Sequence, residues 1–209
     1  MDAHAHIAAA DRVMAGLVER LGELSIAERR RRRGRPPGDP YGALLRSVVG
    51  QQLSTKAAAT IYGRILELFD GDTPSPAELL GADPEALRAA GLSGRKVEYL
   101  RDLAAHVESG ELELDRLDEL ADEDVIAEIS AVRGLGRWSA EMFLMFFLER
   151  PDVLPAGDLG IRRAVQVEYG LDELPGPTEL ERIAEPWRPH RTLACVYLWE
   201  SLANKPVTP

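Results

Sequence analysis

The stretch Ile129–Arg163, ISAVRGLGRWSAEMFLMFFLERPDVLPAGDLGIRR, decides how this chain is read. Helical spacing of apolar residues runs up to Val132, breaks at Arg133-Gly134-Leu135-Gly136-Arg137, and resumes at Trp138. The pattern predicts a helical hairpin over about 122–149, with a tight turn in its middle. Two glycines around one apolar residue suit a turn that needs positive φ and close backbone approach. Leu135 is placed to plug the core between the helices. The N–H groups that open the second helix then face outward, where a phosphate oxygen can accept from them. Such contacts hold a nucleic acid without reading its sequence. The same glycine pair would also serve a plain helical hairpin, so the turn alone leaves both readings open.

Outward from this hairpin the helical period persists. Helices are expected over roughly 8–24, 40–50, 54–69, 76–81, 83–90, 93–109, 122–132, 137–149, 158–169, 178–185 and 189–203. Ser54 opens one, and Asp83-Pro84-Glu85 pairs an N-cap with proline at the first helical position. Stops fall at Gly71, Gly91, Gly110 and Gly170. Residues 25–40, rich in Arg, Pro and Gly, read as the one long irregular link, and no repeat of fixed period is visible. With no sustained period-2 alternation, the fold class is all-α.

Composition sets the outer bounds. A chain of 209 residues, 45% hydrophobic and 29% charged, has the mix of a globular protein that buries a core. No apolar run reaches the eighteen or so residues that span a membrane, and MDAHAHIAAADRV lacks the pattern of a secretory signal. One cysteine, Cys195, excludes an internal disulfide and any cysteine-built metal cluster, and points to a reducing, cytoplasmic setting, nucleoid-associated in a prokaryote. The net charge of −10 argues against a polyanionic partner if taken as a sum. Its distribution softens that. Seven arginines (29, 30, 31, 32, 33, 35 and 46) face one acid, Asp39, between 29 and 46, a local +6, while acids gather in Glu108–Glu128. The arginine run is either a basic face or a solvated loop.

The hairpin segment resembles the motif of helix-hairpin-helix base-excision DNA glycosylases, with Gly134-Leu135-Gly136 as the hairpin. Those enzymes carry an essential aspartate some twenty residues further on in a Pro-x-x-Asp-like context, matched here by Pro155-Ala156-Gly157-Asp158, twenty-two residues past Gly136. Upstream, Tyr41–Ala58, YGALLRSVVGQQLSTKAA, resembles the helix-and-loop element that penetrates DNA in the alkylation-repair (3-methyladenine) branch. The likeness reaches Trp199 and covers about residues 40–203. It implies one glycosylase domain over 1–209, two helical lobes with the active-site cleft between them, and double-stranded DNA containing damaged bases as partner. It further implies a monomer away from membranes, hydrolysing the N-glycosidic bond of flipped-out alkylated bases. The chemistry requires no cofactor or metal; the hairpin's backbone carbonyls offer ligands to a monovalent cation.

Each candidate residue has a chemical reason. Asp158, at the start of LGIRRAVQVEYG, reads as an N-cap. The resemblance makes it catalytic as well: departure of the base leaves an oxocarbenium-like sugar that a carboxylate stabilises, and the carboxylate can orient the attacking water. Trp138 stands where bifunctional relatives carry an imine-forming lysine. The three lysines, Lys56, Lys96 and Lys205, all lie outside the hairpin. Trp138, Trp199 and Met142 are the implied base pocket; Met142 replaces an expected tyrosine and leaves the pocket less aromatic. Either tryptophan would also serve as a core residue. Gln52, with Leu53 beside it, is the candidate wedge for the gap a flipped base leaves, and Gln51 contacts DNA or supports the loop. Arg137 joins the DNA-binding group, Arg191 either braces the active-site cleft or makes an ordinary salt bridge, and Cys195 reads as a core thiol. His4 and His6 read as solvated. A glycosylase for deaminated or mismatched bases, and a non-catalytic DNA-binding module, are the alternatives. Asp158 together with Trp138 speaks against the module.

Overall fold

Short polar caps cut this chain into helices. The computed structural model describes residues 2–32 and 39–203, with the side chains of 30–32 outside that description. Among the described residues it is all-α, with two single 3₁₀ turns at Leu114–Arg116 and Glu185–Trp187. The helices are α1 Ala3–Ala10, α2 Arg12–Leu21, α3 Ile26–Arg32, α4 Pro40–Gly50, α5 Thr55–Glu67, α6 Pro76–Gly81 and α7 Pro84–Ala89. Then follow α8 Gly94–Glu108, α9 Asp122–Ala131, α10 Arg137–Phe146, α11 Leu159–Tyr169, α12 Pro177–Ala184 and α13 Arg191–Ala203. Ser54, Ser75, Asp83, Ser93 and Asp158 each accept a first-turn N–H, the N-cap bond that opens a helix.

Two expectations need correction. The helix expected over 8–24 is two helices. Asp11, extended at φ −159°, ends α1 and caps α2 by accepting from Met14 N at 2.8 Å. Asp11 Oδ2 also accepts from the Tyr169 hydroxyl at 2.7 Å and Trp187 Nε1 at 3.0 Å, so the break is held by distant partners. The link expected over 25–40 is helical through Arg32. Ser25 Oγ accepts from Glu28 N at 3.2 Å, and arginine is a good helix former.

The chain divides into two compact units, Arg35–Phe143 and Met1–Gly34 with Leu144–Pro209. In the first, α8 is the hub: α4, α6 and α7 all pack on it, and Leu100, Leu103 and Ala104 are buried. In the second, α13 packs on α2 and α11 and is buried from Thr192 to Leu198. A helix apolar all round is what a central position demands. Cys195 lies in that run, fully buried, as expected of a core thiol.

Candidate active site

In the unit Arg35–Phe143 the hairpin turn is built by the backbone. Val132 leaves α9 in an extended conformation, and Gly134 adopts φ +83°. A Cβ there would lie 2.1 Å from the Tyr99 ring, so both conformation and space require glycine. Leu135, 4% exposed, plugs the core as expected. Gly136 differs: its φ is not positive, and a Cβ would meet nothing within 4 Å. The bond from Ala140 N to Gly136 O opens the backbone ladder of α10 directly after the turn. Arg133 N donates to Asp102 Oδ2 at 2.8 Å, which fixes the turn's entry. Arg137 is exposed and donates twice to Glu123, at 3.1 and 2.5 Å, holding that carboxyl below its usual range.

The turn after α4 belongs to the same unit. Gln52 has φ +58°, in the left-handed region, and both Gln52 and Leu53 are exposed, Leu53 at 39%. Gln51 folds back instead: its Nε2 donates to Gly134 O at 2.6 Å. Of its two expected roles, this bond is of the loop-supporting kind. Gly134 O, one of the carbonyls considered for a cation, is thus engaged by an amide. Lys96 Nζ donates to Val49 O at 2.7 Å and Gln51 O at 2.8 Å. Burial lowers the pKa of that amine. Lys96, Tyr99 and Asp102 lie at a spacing of three on α8, one face of the helix. Sequence reading missed their role; that i, i+3, i+6 row was the available signal.

In the other unit a carboxylate is held by one backbone N–H and one indole. The segment leading to Asp158 is tied to the start of α13. Thr192 Oγ1 donates to Arg150 O at 2.6 Å and accepts from Val153 N at 3.1 Å. Arg191 donates to Asp152 through Nε at 2.7 Å and Nη2 at 3.0 Å, so it braces this segment. Asp158 then caps α11, its Oδ1 accepting from Ile161 N at 2.8 Å and from Trp199 Nε1 at 3.0 Å. Gly160 makes the approach possible: a Cβ there would stand 3.0 Å from Asp158 Oδ1 and 3.2 Å from Trp199 Nε1. Phe146 tilts against Trp199 at 5.9 Å between centroids, and the Arg29 guanidinium lies 5.4 Å from the indole centroid.

Arg29 therefore revises the basic stretch. It is buried and ion-paired with Glu200 rather than turned to solvent. Arg46 is also largely covered, donating to the Tyr62 hydroxyl at 3.1 Å. The side chains of Arg30, Arg31, Arg32, Arg33 and Arg35 lie outside the described residues.

The structure thus brings Asp158 to Trp199, and Gln51 to Gly134. Trp138, 46% exposed, and Met142, buried, lie one turn apart on α10. Lys56 is exposed on α5, and Lys205 is outside the described residues. His4 is bound to Leu24 O at 3.0 Å, and the His6 ring meets that of His190 at 5.2 Å, so neither is the solvated side chain expected. Among the described residues no three His, Cys, Asp or Glu side chains are grouped to hold a metal. No helix there is long and apolar enough to cross a membrane.

A family model, HhH-GPD superfamily base excision DNA repair protein, matches residues 45–189. DNA-3-methyladenine glycosylase 1 of Schizosaccharomyces pombe is 35% identical, the match covering 99% of this chain and 91% of that protein. The solved structure of a 3-methyladenine DNA glycosylase (Mag1) from the same organism, in complex with abasic DNA, superposes with a TM-score of 0.85 over 100% of both chains, at 31% identity. A DNA-3-methyladenine glycosidase from Bacillus halodurans gives 0.83 at 38% identity, covering 98% of this chain and 90% of that one.

Proposed function

The chain belongs to the HhH-GPD superfamily of base excision DNA repair proteins, and from that footing we propose that it is a monofunctional glycosylase of the DNA-3-methyladenine type. It acts as a monomer on duplex DNA and releases alkylated bases that have been flipped out of the stack. In the proposed step the C1′–N bond breaks and its electron pair leaves with the base. An alkylated base that is already cationic leaves as a neutral molecule, so no acid is needed to protonate it. The sugar becomes oxocarbenium-like, and the carboxylate of Asp158 stabilises the charge there. Water adds its oxygen to C1′ and gives up a proton, with Asp158 as acceptor or orienting group.

The observation that carries this reading is the placement of Asp158. Two N–H donors, Ile161 N and Trp199 Nε1, fix Oδ1 at the first turn of a helix that follows the hairpin by twenty-two residues. Capping α11 alone would account for the bond to Ile161 N; the second bond, to the Trp199 indole, is what a plain DNA-binding module does not call for. Trp138 supplies no amine to capture C1′, so the product is an intact abasic site.

The test uses duplexes carrying single lesions. Base release is read on a gel with and without hot alkali, with borohydride present in a parallel reaction. Expected are breaks only after alkali, on alkylated substrates first, and no trapped adduct. An adduct would show an amine at the sugar and reject the water mechanism; no release from any lesion would reject the glycosylase reading.

A further inference from the structure

The turn after α4 makes two anchoring contacts to distant parts of the same unit. Lys96 lies in the first turn of α8, where the helix dipole disfavours a cation. Its ammonium instead meets the carbonyl end of α4, where a cation is favoured. There it straddles the turn, bonding Val49 O before the break and Gln51 O after it. Among the described residues its partners are these two carbonyls and no carboxylate, so the amine's hydrogen bonds go into fixing this backbone. The second anchor is the Gln51 amide on Gly134 O, 83 residues away in sequence. Tyr99 and Asp102, from the same face of α8 as Lys96, hold the other side of that hairpin turn. One helix face therefore sets two backbone turns, and Gln51 ties them together. What the first turn presents outward is Gln52, held at φ +58°, and the exposed Leu53.

We propose that Lys96 and Gln51 are positioning residues that pre-set the Gln52–Leu53 turn against the Gly134 hairpin, so that the side chain filling the gap left by a flipped base enters DNA in fixed register with the phosphate contact. The proposal rests on the base-excision reading above. Its physical content is preorganisation. A loose turn must be ordered during insertion, at a cost in entropy for each residue fixed, whereas an anchored turn is ordered beforehand. Lys96 therefore acts on DNA whose stack has been opened. Undamaged duplex, held by backbone contacts to phosphate, does not call on it.

The measurement is equilibrium binding of the full chain to a duplex with a tetrahydrofuran abasic site and to the same duplex undamaged. Each is read for wild type, Lys96→Met, Lys96→Arg and Gln51→Ala. The wild type should prefer the abasic duplex. Lys96→Met should lose about tenfold on that duplex and less than about twofold on the undamaged one. Lys96→Arg, which keeps the charge and the donors, should recover most of the preference. Gln51→Ala, a half-exposed truncation that leaves the core untouched, should lower the preference in the same direction and decides the matter if Lys96→Met does not fold. The 2-aminopurine signal that reports flipping should slow in both weakened variants. Equal loss on the two duplexes marks a merely structural role and overturns the proposal. So does an unchanged preference in Lys96→Met and Gln51→Ala beside a discriminating wild type. A wild type that binds both duplexes alike overturns the base-excision reading, and this inference with it.

Discussion

The hairpin region and the Asp158 region solve different problems with different groups. The hairpin offers main-chain N–H groups at the start of α10, and its side chains either plug the core, as Leu135 does, or must be absent, as at Gly134. The Asp158 region offers one carboxylate, held by an indole, a helix N–H and a missing Cβ at Gly160. A backbone surface suits a ligand whose phosphates repeat along its length. A single fixed carboxylate suits one atom at which charge develops. If the proposed function holds, one region grips and the other does chemistry, and substitutions in each should fail differently.

The two hairpin glycines give the largest expected contrast. Gly134→Val places a branched side chain at φ +83° and 2.1 Å from Tyr99. It should lower stability by about 3 kcal/mol or more, roughly a 10 °C fall in melting temperature. Gly136→Val meets open space within the protein, so its melting temperature should stay within about 2 °C of wild type. Its affinity for damaged and undamaged duplex should fall together, by about tenfold, because the obstruction lies between backbone and phosphate. A stable Gly134→Val, or a Gly136→Val that binds normally, breaks the division between the two glycines.

A smaller effect sharpens the chemical side. Trp199→Phe removes the indole N–H from Asp158 Oδ1 while keeping an aromatic ring beside Phe146. Single-turnover base release should drop about tenfold or slightly more, roughly 1.5 kcal/mol, the low end of what one hydrogen bond to a charged group contributes. Affinity for undamaged duplex should be unchanged. If release is unaffected, the indole serves packing and not the carboxylate.

The parts legible in the sequence are those whose requirements are local. Gly134 at positive φ, an N-capping aspartate and a Ser54 cap are set by local backbone geometry, and all three stand where the pattern put them, whereas Gly136 is not at positive φ as the pair suggested. Parts that depend on distant residues were hidden. Lys96 meets carbonyls 45 and 47 residues away, and Arg133 N meets Asp102 across 31. Arg29 pairs with Glu200, 171 residues on, which turned an arginine run expected to be a basic face or a solvated loop partly into core. Asp11 broke an apparently continuous helix because Tyr169 and Trp187 hold its carboxylate. The Ser25–Glu28 start of α3 was local and could have been read; the Arg, Pro and Gly that follow masked it.

The most direct test of the division sets Asp158→Asn beside Gly136→Val, measuring for each the affinity for lesion duplex and the single-turnover rate of base release at saturating enzyme. Asparagine keeps the size of the side chain and an oxygen to cap α11, but carries no charge for the sugar cation. Asp158→Asn should bind within about threefold of wild type and release base at least about a hundredfold more slowly, and Gly136→Val should show the reverse, weak binding with a near-normal rate once saturated. An Asp158→Asn variant that keeps more than about a tenth of the wild-type rate, a loss under about 1.4 kcal/mol, would contradict the assignment of the chemistry to this carboxylate.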